Sequence, residues 1–228
     1  MATTRKYYHG LSNDRWIVEC VFPDLEGGYF VEAGALGGKW GTATYVLEKE
    51  LHWNGICVEP SETKFAQLRL NRSVSRLDSR LLYSRSGEEK EFAFFNDRPA
   101  YSGITDHLRK SMKAHMVQSA EQTLVTMKST ITLSDLLAHY DAPPIVHYVC
   151  LDTEGSEFEI LRDFPFDDPY TILAVSVEGH RCDRLLESKG YIAVRNPFSD
   201  KESEAYYLHP RLEQHRGRLH YEGIVGDR

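Results

Sequence analysis

Short apolar segments, each bounded by glycine, proline or polar residues, recur along the 228-residue chain. Uninterrupted apolar runs of four to eight residues are typical of strands that are buried on both faces of a parallel sheet. Such segments predict strands at 28–33, 55–59, 80–84, 145–152 and 171–178, with further extended pieces at 91–95 and 124–132 and a closing pair at 191–195 and 205–208.

Helix signals lie between these segments. Ser61 can cap a helix that ends near Asn71, and Ser156 with Glu159 three residues later resembles a capping box. Further helices are predicted at 42–52, 132–140 and 181–189, with an N-terminal helix at 13–21 whose cap is Asn13. Alternating strands and helices predict an α/β fold with a mostly parallel sheet and a ligand at the carboxyl ends of its strands.

The length fits a single α/β domain with a full core. We predict an N-terminal lead-in segment at 1–27, the main domain at 28–210 and a tail at 211–228. Residues 97–120 are polar and irregular, which favours a lid or substrate loop. The side chains of this segment that suit a polar ligand such as a sugar are Tyr101, His107, Arg109 and His115.

The composition narrows the classes of partner. A net charge of −7 argues against a general nucleic-acid binder, which needs clustered lysine and arginine. No apolar run approaches the roughly 20 residues that cross a bilayer, and residues 1–14 lack the apolar core of a signal peptide. The four cysteines form no Cys-x-x-Cys pair, so we expect small buried side chains in a reducing, cytoplasmic compartment. The sequence does not predict an oligomeric state.

A glycine-rich turn, Gly34-Ala35-Leu36-Gly37-Gly38, follows the first predicted strand. Glycines there allow the backbone to approach a ligand, although a purely structural turn has the same pattern. Glu32, before the turn, can accept a hydrogen bond from a ligand amine or hold the loop through its amides. Glu59, at the end of the second strand, can accept from both hydroxyls of a ribose, the alternative being a solvated glutamate. The glycine spacing does not fit the Gly-x-Gly-x-x-Gly of dinucleotide-dependent reductases.

Three ordered stretches resemble the S-adenosylmethionine-dependent methyltransferases of the FkbM type. They are FVEAGA at 30–35 with WNGICVEP at 53–60, LDTEGSE at 151–157 and VSVE at 175–178. Together with SGI at 102–104 and TLSDLL at 132–137, they follow the order of the family over roughly residues 14–195. The resemblance implies a Rossmann-like class I methyltransferase fold, with a mostly parallel seven-stranded sheet, an antiparallel last strand and S-adenosylmethionine as cofactor.

The resemblance also implies roles for individual residues. The cofactor-binding residues would be Glu32, Gly34, Ala35 and Gly38 on the methionine and ribose side, Glu59 and Pro60 at the ribose, Ser84 and Arg85 near the adenine, and Asp152 near the reactive methyl group. Two positions depart from the family pattern. Leu36 stands where many relatives have a polar or small residue, and no carboxylate directly follows the predicted third strand.

Methyl transfer to a hydroxyl needs an aligned acceptor and a group that removes its proton. The candidate catalytic residues are Asp152, Glu154, Glu178 and His180. His180 is a candidate because histidine is a common general base in enzymes, although a loop histidine without chemistry fits the sequence equally well. Clustered carboxylates also suit Mg²⁺, but cofactor and hydroxyl binding account for them, so we predict no metal site. We expect O-methylation of a small-molecule or carbohydrate acceptor.

Two other functions remain open at this stage. The first is an RNA 2′-O-methyltransferase. Enzymes of that class have a Lys-Asp-Lys-Glu tetrad around the acceptor hydroxyl, and Asp152 and Glu178 are candidates for its two acids. However, Gly179-His180-Arg181 provides no lysine after Glu178, and the chain is acidic. The second alternative is a binding protein that keeps the fold without turnover, because a fold does not determine function.

Overall fold

The computed structural model describes residues 5–23 and 25–215, so the predicted tail is described only as far as residue 215. The strands in this part of the chain are β1 (Tyr29–Ala33), β2 (Asn54–Val58), β3 (Arg76–Asp78), β4 (Leu81–Leu82), β5 (Glu89–Phe95), β6 (Gly103–Ile104), β7 (Thr123–Ile131), β8 (Ile145–Leu151), β9 (Thr171–Glu178), β10 (Ile192–Val194) and β11 (Glu204–Leu208). The α-helices are α1 (Asn13–Trp16), α2 (Tyr45–Glu50), α3 (Glu62–Asn71), α4 (Lys110–Gln118), α5 (Leu133–His139), α6 (Glu157–Leu161) and α7 (Asp183–Ser188).

The larger sheet has seven strands in the order β10-β11-β9-β8-β1-β2-β3. The five strands from β9 to β3 pair in parallel, whereas β11 runs antiparallel to both β9 and β10. The prediction of a mostly parallel α/β sheet is therefore confirmed. Because parallel neighbours end on the same side, the residues that follow β1, β2, β8 and β9 meet along one carboxyl edge.

The third strand lies elsewhere than predicted. Leu81 and Leu82 pair with β7 in a second, four-stranded sheet of order β4-β7-β5-β6, and the third strand of the large sheet is Arg76–Asp78. The Asp78 carboxylate accepts hydrogen bonds from the Arg80 backbone amide and guanidinium, which turns the chain between the sheets. No carboxylate directly follows this strand, but its last residue, Asp78, places one at the strand end.

Residues 97–120 contain more regular structure than the polar pattern indicated. A 3-10 turn at Pro99–Tyr101 and strand β6 precede α4, which spans nine residues. Leu108 and Met112 anchor this segment by packing on Ala93 and Phe95 of β5. Met112 is the one buried residue of α4, and a single position is too weak a periodic signal for the helix to be predicted from the sequence. The role of the segment as a lid or substrate loop stays a prediction.

The core lies on both faces of the large sheet. One face packs against α5, α6 and α7, and the other packs against the N-terminal helices, α2 and α3. The helix predicted at 13–21 is α1 continued by a π-helix at Ile17–Val21. Asn13 is not its cap, however, because Ser12 holds that position and the Asn13 side chain instead donates to Ser176 and Glu204. No helix among the described residues is long and apolar enough to span a membrane.

Three cysteines, Cys57, Cys150 and Cys182, are buried and Cys20 is half-buried, all four of them without a disulfide. Burial raises the pKa of the Cys57 thiol to about 12, so it stays protonated at neutral pH. The expectation of small buried side chains is confirmed for these three cysteines.

Candidate active site

A cavity opens at the carboxyl ends of β1, β2 and β8 and encloses about 580 Å³, including its mouth. Polar groups on its wall come from Gly34, Glu59 and Asp152, which follow or end three neighbouring strands. The second sheet and the segment after it close the opposite side with apolar residues, among them Leu81, Leu82, Phe92, Pro99 and Ile104. The structure thus brings together Glu59 and Asp152, two acids that are 93 positions apart in the sequence.

Close packing around the turn requires glycine at two of its positions, independently of any ligand in the cavity. Gly34 has a φ of +86°, and a Cβ atom there would lie 2.0 Å from the carbonyl oxygen of Asp152. Gly38 has a φ of +78°, and its Cβ would lie 2.5 Å from Leu68 of α3. Gly34 lines the cavity, whereas Gly38 and the fully buried Ala35 lie behind its wall. The cofactor contacts expected of Gly38 and Ala35 stay predictions.

Glu59 is held in position by the backbone on both sides of it. One carboxylate oxygen accepts from the Leu36 amide and the other from the Ser61 amide, each at 2.8 Å. Glu59 is only 3% exposed. Burial raises the pKa of its carboxyl group to about 7, although the two hydrogen bonds act to lower it. A carboxylate oxygen has two lone pairs, so each oxygen retains capacity for one donor from the cavity. Pro60 follows it on the same wall.

Glu32 takes the second of the two roles that the sequence left open. It is buried and does not line the cavity; its oxygens accept from the Ala43 amide, the Thr44 hydroxyl and the guanidinium of Arg72. Arg72 also donates to the carbonyl oxygen of Gly38 at 2.6 Å. This buried pair ties the glycine turn to α2 and α3. Arg72 was not identified from the sequence, where it is one of several arginines in a polar stretch.

Ser84 and Arg85 follow β4 in the second sheet and do not line the cavity. Their assignment to the adenine depended on the incorrect position of the third strand. The carbonyl oxygen of Arg85 accepts from the Thr130 hydroxyl, which is a structural contact within that sheet. Leu81 and Leu82, four and three residues earlier than Arg85, are the side chains that reach the cavity.

The three predicted catalytic acids form a cluster beside the cavity. Carboxylate oxygens of Asp152, Glu154 and Glu178 all lie within 4.8 Å of one another. Burial raises the pKa of Asp152 and of Glu154 to about 7 each, and neighbouring carboxylates add to this shift. Glu154 is 5% exposed, and its Oε2 atom has no hydrogen-bond partner among the described residues. Such perturbed acids in a cleft are typical of functional sites.

Arg109, the N-cap residue of α4, reaches this cluster. Its guanidinium pairs with Glu178 and lies 4.0 Å from Oε2 of Glu154. The carboxylates therefore have a counter-charge from the chain itself, and the arrangement does not require a cation. Three close carboxylates are nevertheless a donor set of the kind that Mg²⁺ prefers. The placement of Arg109 links the 97–120 segment to the candidate catalytic acids.

The turn after β8 is stabilised differently from the sequence prediction. The Ser156 side chain makes no capping bond to α6 and donates instead to the Thr153 hydroxyl. Glu157 is the buried acceptor of the turn, since one of its oxygens accepts from the amides of Thr153 and Gly155. Glu154 has a φ of +58°, so this turn holds the catalytic candidate in a conformation that few residues other than glycine adopt.

His180 is not part of the acid cluster. Its exposed ring lies 3.3 Å from Asp183 and 3.2 Å from the carbonyl oxygen of Glu202, and it faces a different cavity. A different histidine takes its place at the strand ends, because a ring nitrogen of His9 lies within 4.8 Å of carboxylate oxygens of Asp152 and Glu204. Burial lowers the pKa of His9 to about 4, so the ring is neutral at physiological pH. The sequence before residue 13 contains no motif that identifies His9.

A comparison with protein-family models gives a match to the methyltransferase FkbM domain over residues 31–193. The match begins in β1 and ends in β10, and it contains the glycine turn, Glu59 and the acid cluster. A comparison with curated proteins gave no significant match. Because the family model covers well over half of the 228 residues, the chain belongs to the FkbM methyltransferase family.

Proposed function

We propose that this methyltransferase uses S-adenosylmethionine to methylate a hydroxyl oxygen on a small molecule or sugar. The observation that carries the proposal is the cavity in which Glu59 and Asp152 meet, with two further acids and Arg109 beside it. The strand order, with an antiparallel strand at the end of a parallel sheet, supports a Rossmann-like class I arrangement. In such sheets, ligands bind outside the carboxyl ends of the strands.

The wall of the cavity carries groups that suit a nucleoside with an attached amino acid. The free lone pairs of the Glu59 carboxylate suit the two ribose hydroxyls, and the apolar wall of Leu81, Leu82 and Phe92 suits the flat face of an adenine. Asp152, at the other end, suits the charged amino group or the acceptor. Gly34 has no side chain that would project from the cavity wall between these two acids. We therefore assign the adenine contact to the second sheet rather than to Ser84 and Arg85.

S-adenosylmethionine, when bound, supplies an electrophilic methyl group on its sulfonium. The residues of the chain align the acceptor hydroxyl and remove its proton, and alignment by itself contributes about 7–11 kcal/mol to such reactions. Asp152 and Glu154 are the groups that we assign to proton removal, because their raised pKa values of about 7 match a base that works near neutrality. Glu178 and Arg109 orient the acceptor. We do not assign this role to His180, because its ring lies outside the acid cluster and contacts Asp183 and the carbonyl oxygen of Glu202.

Calorimetry with S-adenosylmethionine and S-adenosylhomocysteine tests the cofactor assignment. We expect both to bind the wild-type protein and the Glu62→Gln variant, whose altered side chain is exposed on α3. Absence of binding to the wild type would contradict the proposal and favour a protein that keeps the fold without turnover. Transfer of a radiolabelled methyl group to hydroxyl compounds, measured with and without EDTA, then tests the chemistry. Activity that survives EDTA would show that no divalent cation is needed.

Asp152→Asn and Glu154→Gln test the assignment of the base. Each variant keeps the size of the side chain but cannot accept a proton at neutral pH. We expect at least one of them to lower kcat by 10²-fold or more, which is the range attributed to general-base catalysis. His180→Asn should lower kcat much less than either of these variants, because its ring lies outside the acid cluster. The reverse result, with a large effect only at His180, would refute the assignment.

A further inference from the structure

A second cavity opens on the same edge of the large sheet, on the far side of β9. It encloses about 1120 Å³, including its mouth, and residues from β10, β11 and the connection between them form most of its wall. Because β11 runs antiparallel to β9, its first residue, Glu204, lies opposite Glu178, the last residue of β9. The cavity therefore lies at the carboxyl edge, next to the candidate cofactor cavity.

Each cavity has a carboxylate on its wall, and these two carboxylates lie close together. Asp152 lines the first cavity and Glu204 lines the second, and their oxygens lie within 4.8 Å of one another and of a His9 ring nitrogen. A group bound in the second cavity against Glu204 is thus one side chain away from the acid that faces the cofactor. A methyl acceptor has to bind directly beside the cofactor, since the reacting atoms must approach to about 3–3.5 Å.

The inner wall of the second cavity is built from buried polar side chains. Glu204, Tyr206 and Asn196 are each less than 10% exposed. The Tyr206 hydroxyl donates to Asn13 at 2.8 Å, the Asn196 amide donates to Tyr206 at 3.2 Å, and Asn13 donates to Glu204. Bonds of this kind hold a carboxylate in one orientation before a ligand arrives.

The charges around the cavity are nearly balanced. The lysine and arginine side chains on its wall are Arg195 and Lys201, and the carboxylates are those of Asp200, Glu202 and Glu204. A phosphate-rich ligand would need an excess of positive charge, which this wall lacks. A neutral compound with several hydroxyls can donate to the carboxylates and accept from the cations at the same time.

We propose that the second cavity is the acceptor site and that it binds a neutral, polyhydroxylated acceptor of the sugar class. The inference rests on the proposed function, because it places the substrate of that reaction. In this arrangement Glu204 accepts from a sugar hydroxyl, and the reacting hydroxyl points towards Asp152.

A tryptophan that fills the cavity tests this site directly. Ser199 lines the second cavity and is half-buried, whereas Ser203 lies in the same connection, is exposed and does not line it. Ser199→Trp is the test variant, Ser203→Trp is the matched control and Asp200→Trp is a second blocking variant. Far-UV circular dichroism and melting curves establish that each variant folds.

The probes are the methyl glycosides of glucose, galactose, mannose and rhamnose, observed by saturation-transfer difference NMR with saturating S-adenosylhomocysteine. We expect at least one glycoside to contact the wild type and the Ser203→Trp variant. Its signal should fall at least fivefold in Ser199→Trp or Asp200→Trp. No contact with any glycoside, or contact that persists in both blocking variants, would overturn the proposal.

Two further measurements separate this proposal from the cofactor assignment. Calorimetry of S-adenosylhomocysteine should give the same Kd within about twofold for the wild type and Ser199→Trp. If the cofactor binds but glycosides do not, the acceptor site alone is wrong; if the cofactor does not bind, the proposed function fails as well. A short single-stranded RNA that binds the wild type and is lost in Ser199→Trp would overturn the sugar class.

Discussion

Replacing Glu59 with glutamine removes a negative charge from the wall of the cofactor cavity with almost no change in size. In the wild type both carboxylate oxygens are already engaged by backbone amides, those of Leu36 and Ser61, each at 2.8 Å. Glutamine keeps an acceptor for one of these amides and presents an N–H group to the other. The variant therefore loses the charge and one acceptor at the position where we propose that the ribose binds.

The size of the effect follows from the bonds involved. A hydrogen bond to a charged group contributes about 1.5–3 kcal/mol, and each 1.4 kcal/mol changes Kd tenfold. Loss of one such bond to the ribose predicts that Glu59→Gln weakens S-adenosylmethionine binding by about 10- to 150-fold. Stability should respond differently, because the variant removes a buried charge whose ionisation is unfavourable. We expect its melting temperature to stay within a few degrees of the wild type at pH 8.

The pH dependence of binding gives a second, independent measure. Burial raises the pKa of Glu59 to about 7, so the free protein must lose a proton there before the carboxylate can accept from two hydroxyls. Affinity should therefore rise as pH increases from 6 to 8, by up to about tenfold, and then level off. Asp152 titrates in the same range, so the informative quantity is the difference between the wild type and Glu59→Gln.

Calorimetry at pH 6, 7 and 8, in buffers with different ionisation enthalpies, measures both affinity and proton release. Glu62→Gln, three residues further on and largely exposed, is the control for a charge change alone and should bind like the wild type. If Glu59→Gln binds within threefold of the wild type at pH 8, or retains the full pH dependence, Glu59 does not hold the ribose and our placement of the cofactor is wrong.

Three other predictions concern the framework of the site. Gly34→Ala should lower the free energy of unfolding, measured in urea, by at least about 3 kcal/mol, because its Cβ would meet the Asp152 carbonyl. Gly87→Ala is the control, since there is open space around that residue, and it should lower the free energy of unfolding by about 1 kcal/mol. Equal losses in the two variants would contradict the packing argument. Arg72→Met leaves Glu32 unpaired in the core and should cost about 3–5 kcal/mol by the same measurement, with the exposed Arg69→Met near neutral as its control. Without ligand, the free energy of unfolding should fall between pH 5 and 7.5, because carboxyl groups whose pKa is raised to about 7 stabilise the fold only while protonated. The acids concerned are Glu59, Asp152, Glu154 and Glu204. The lowered pKa of His9 opposes this trend, but only by one proton. A free energy of unfolding that rises across the range would show that the pKa values of the buried acids are not raised in this way.

The parallel strands were predictable because each is an apolar run that the sheet buries on both faces. β8 and β9 illustrate this, since almost every residue in them is buried. β3 is an edge strand of three residues, Arg-Leu-Asp, and an edge strand needs no continuous apolar run. The third strand of the large sheet was therefore predicted at the more apolar pair Leu81 and Leu82, although these residues belong to the second sheet.

Within the candidate site, the predictable residues are those that directly follow a strand. Glu59 and Asp152 were identified because their strands are clear and because parallel strands end on the same side. Arg109, His9 and Glu204 reach the site through contacts between distant parts of the chain, which no local pattern contains. His9 and Glu204 are 195 positions apart in the sequence, yet both approach Asp152.

The concentration of buried acids along one edge is itself an argument for function. Asp152, Glu154 and Glu204 each have a pKa raised to about 7, so each ionised form is disfavoured in the fold at neutral pH. Stability alone would favour apolar or amide side chains at these positions, because buried charges are unfavourable unless they are fully paired. Elsewhere in the same core, Glu32 and Glu48 do have a partner in Arg72. The contrast between the paired acids behind the glycine turn and the poorly paired acids at the strand ends is what we expect where proton transfer and hydroxyl binding take place.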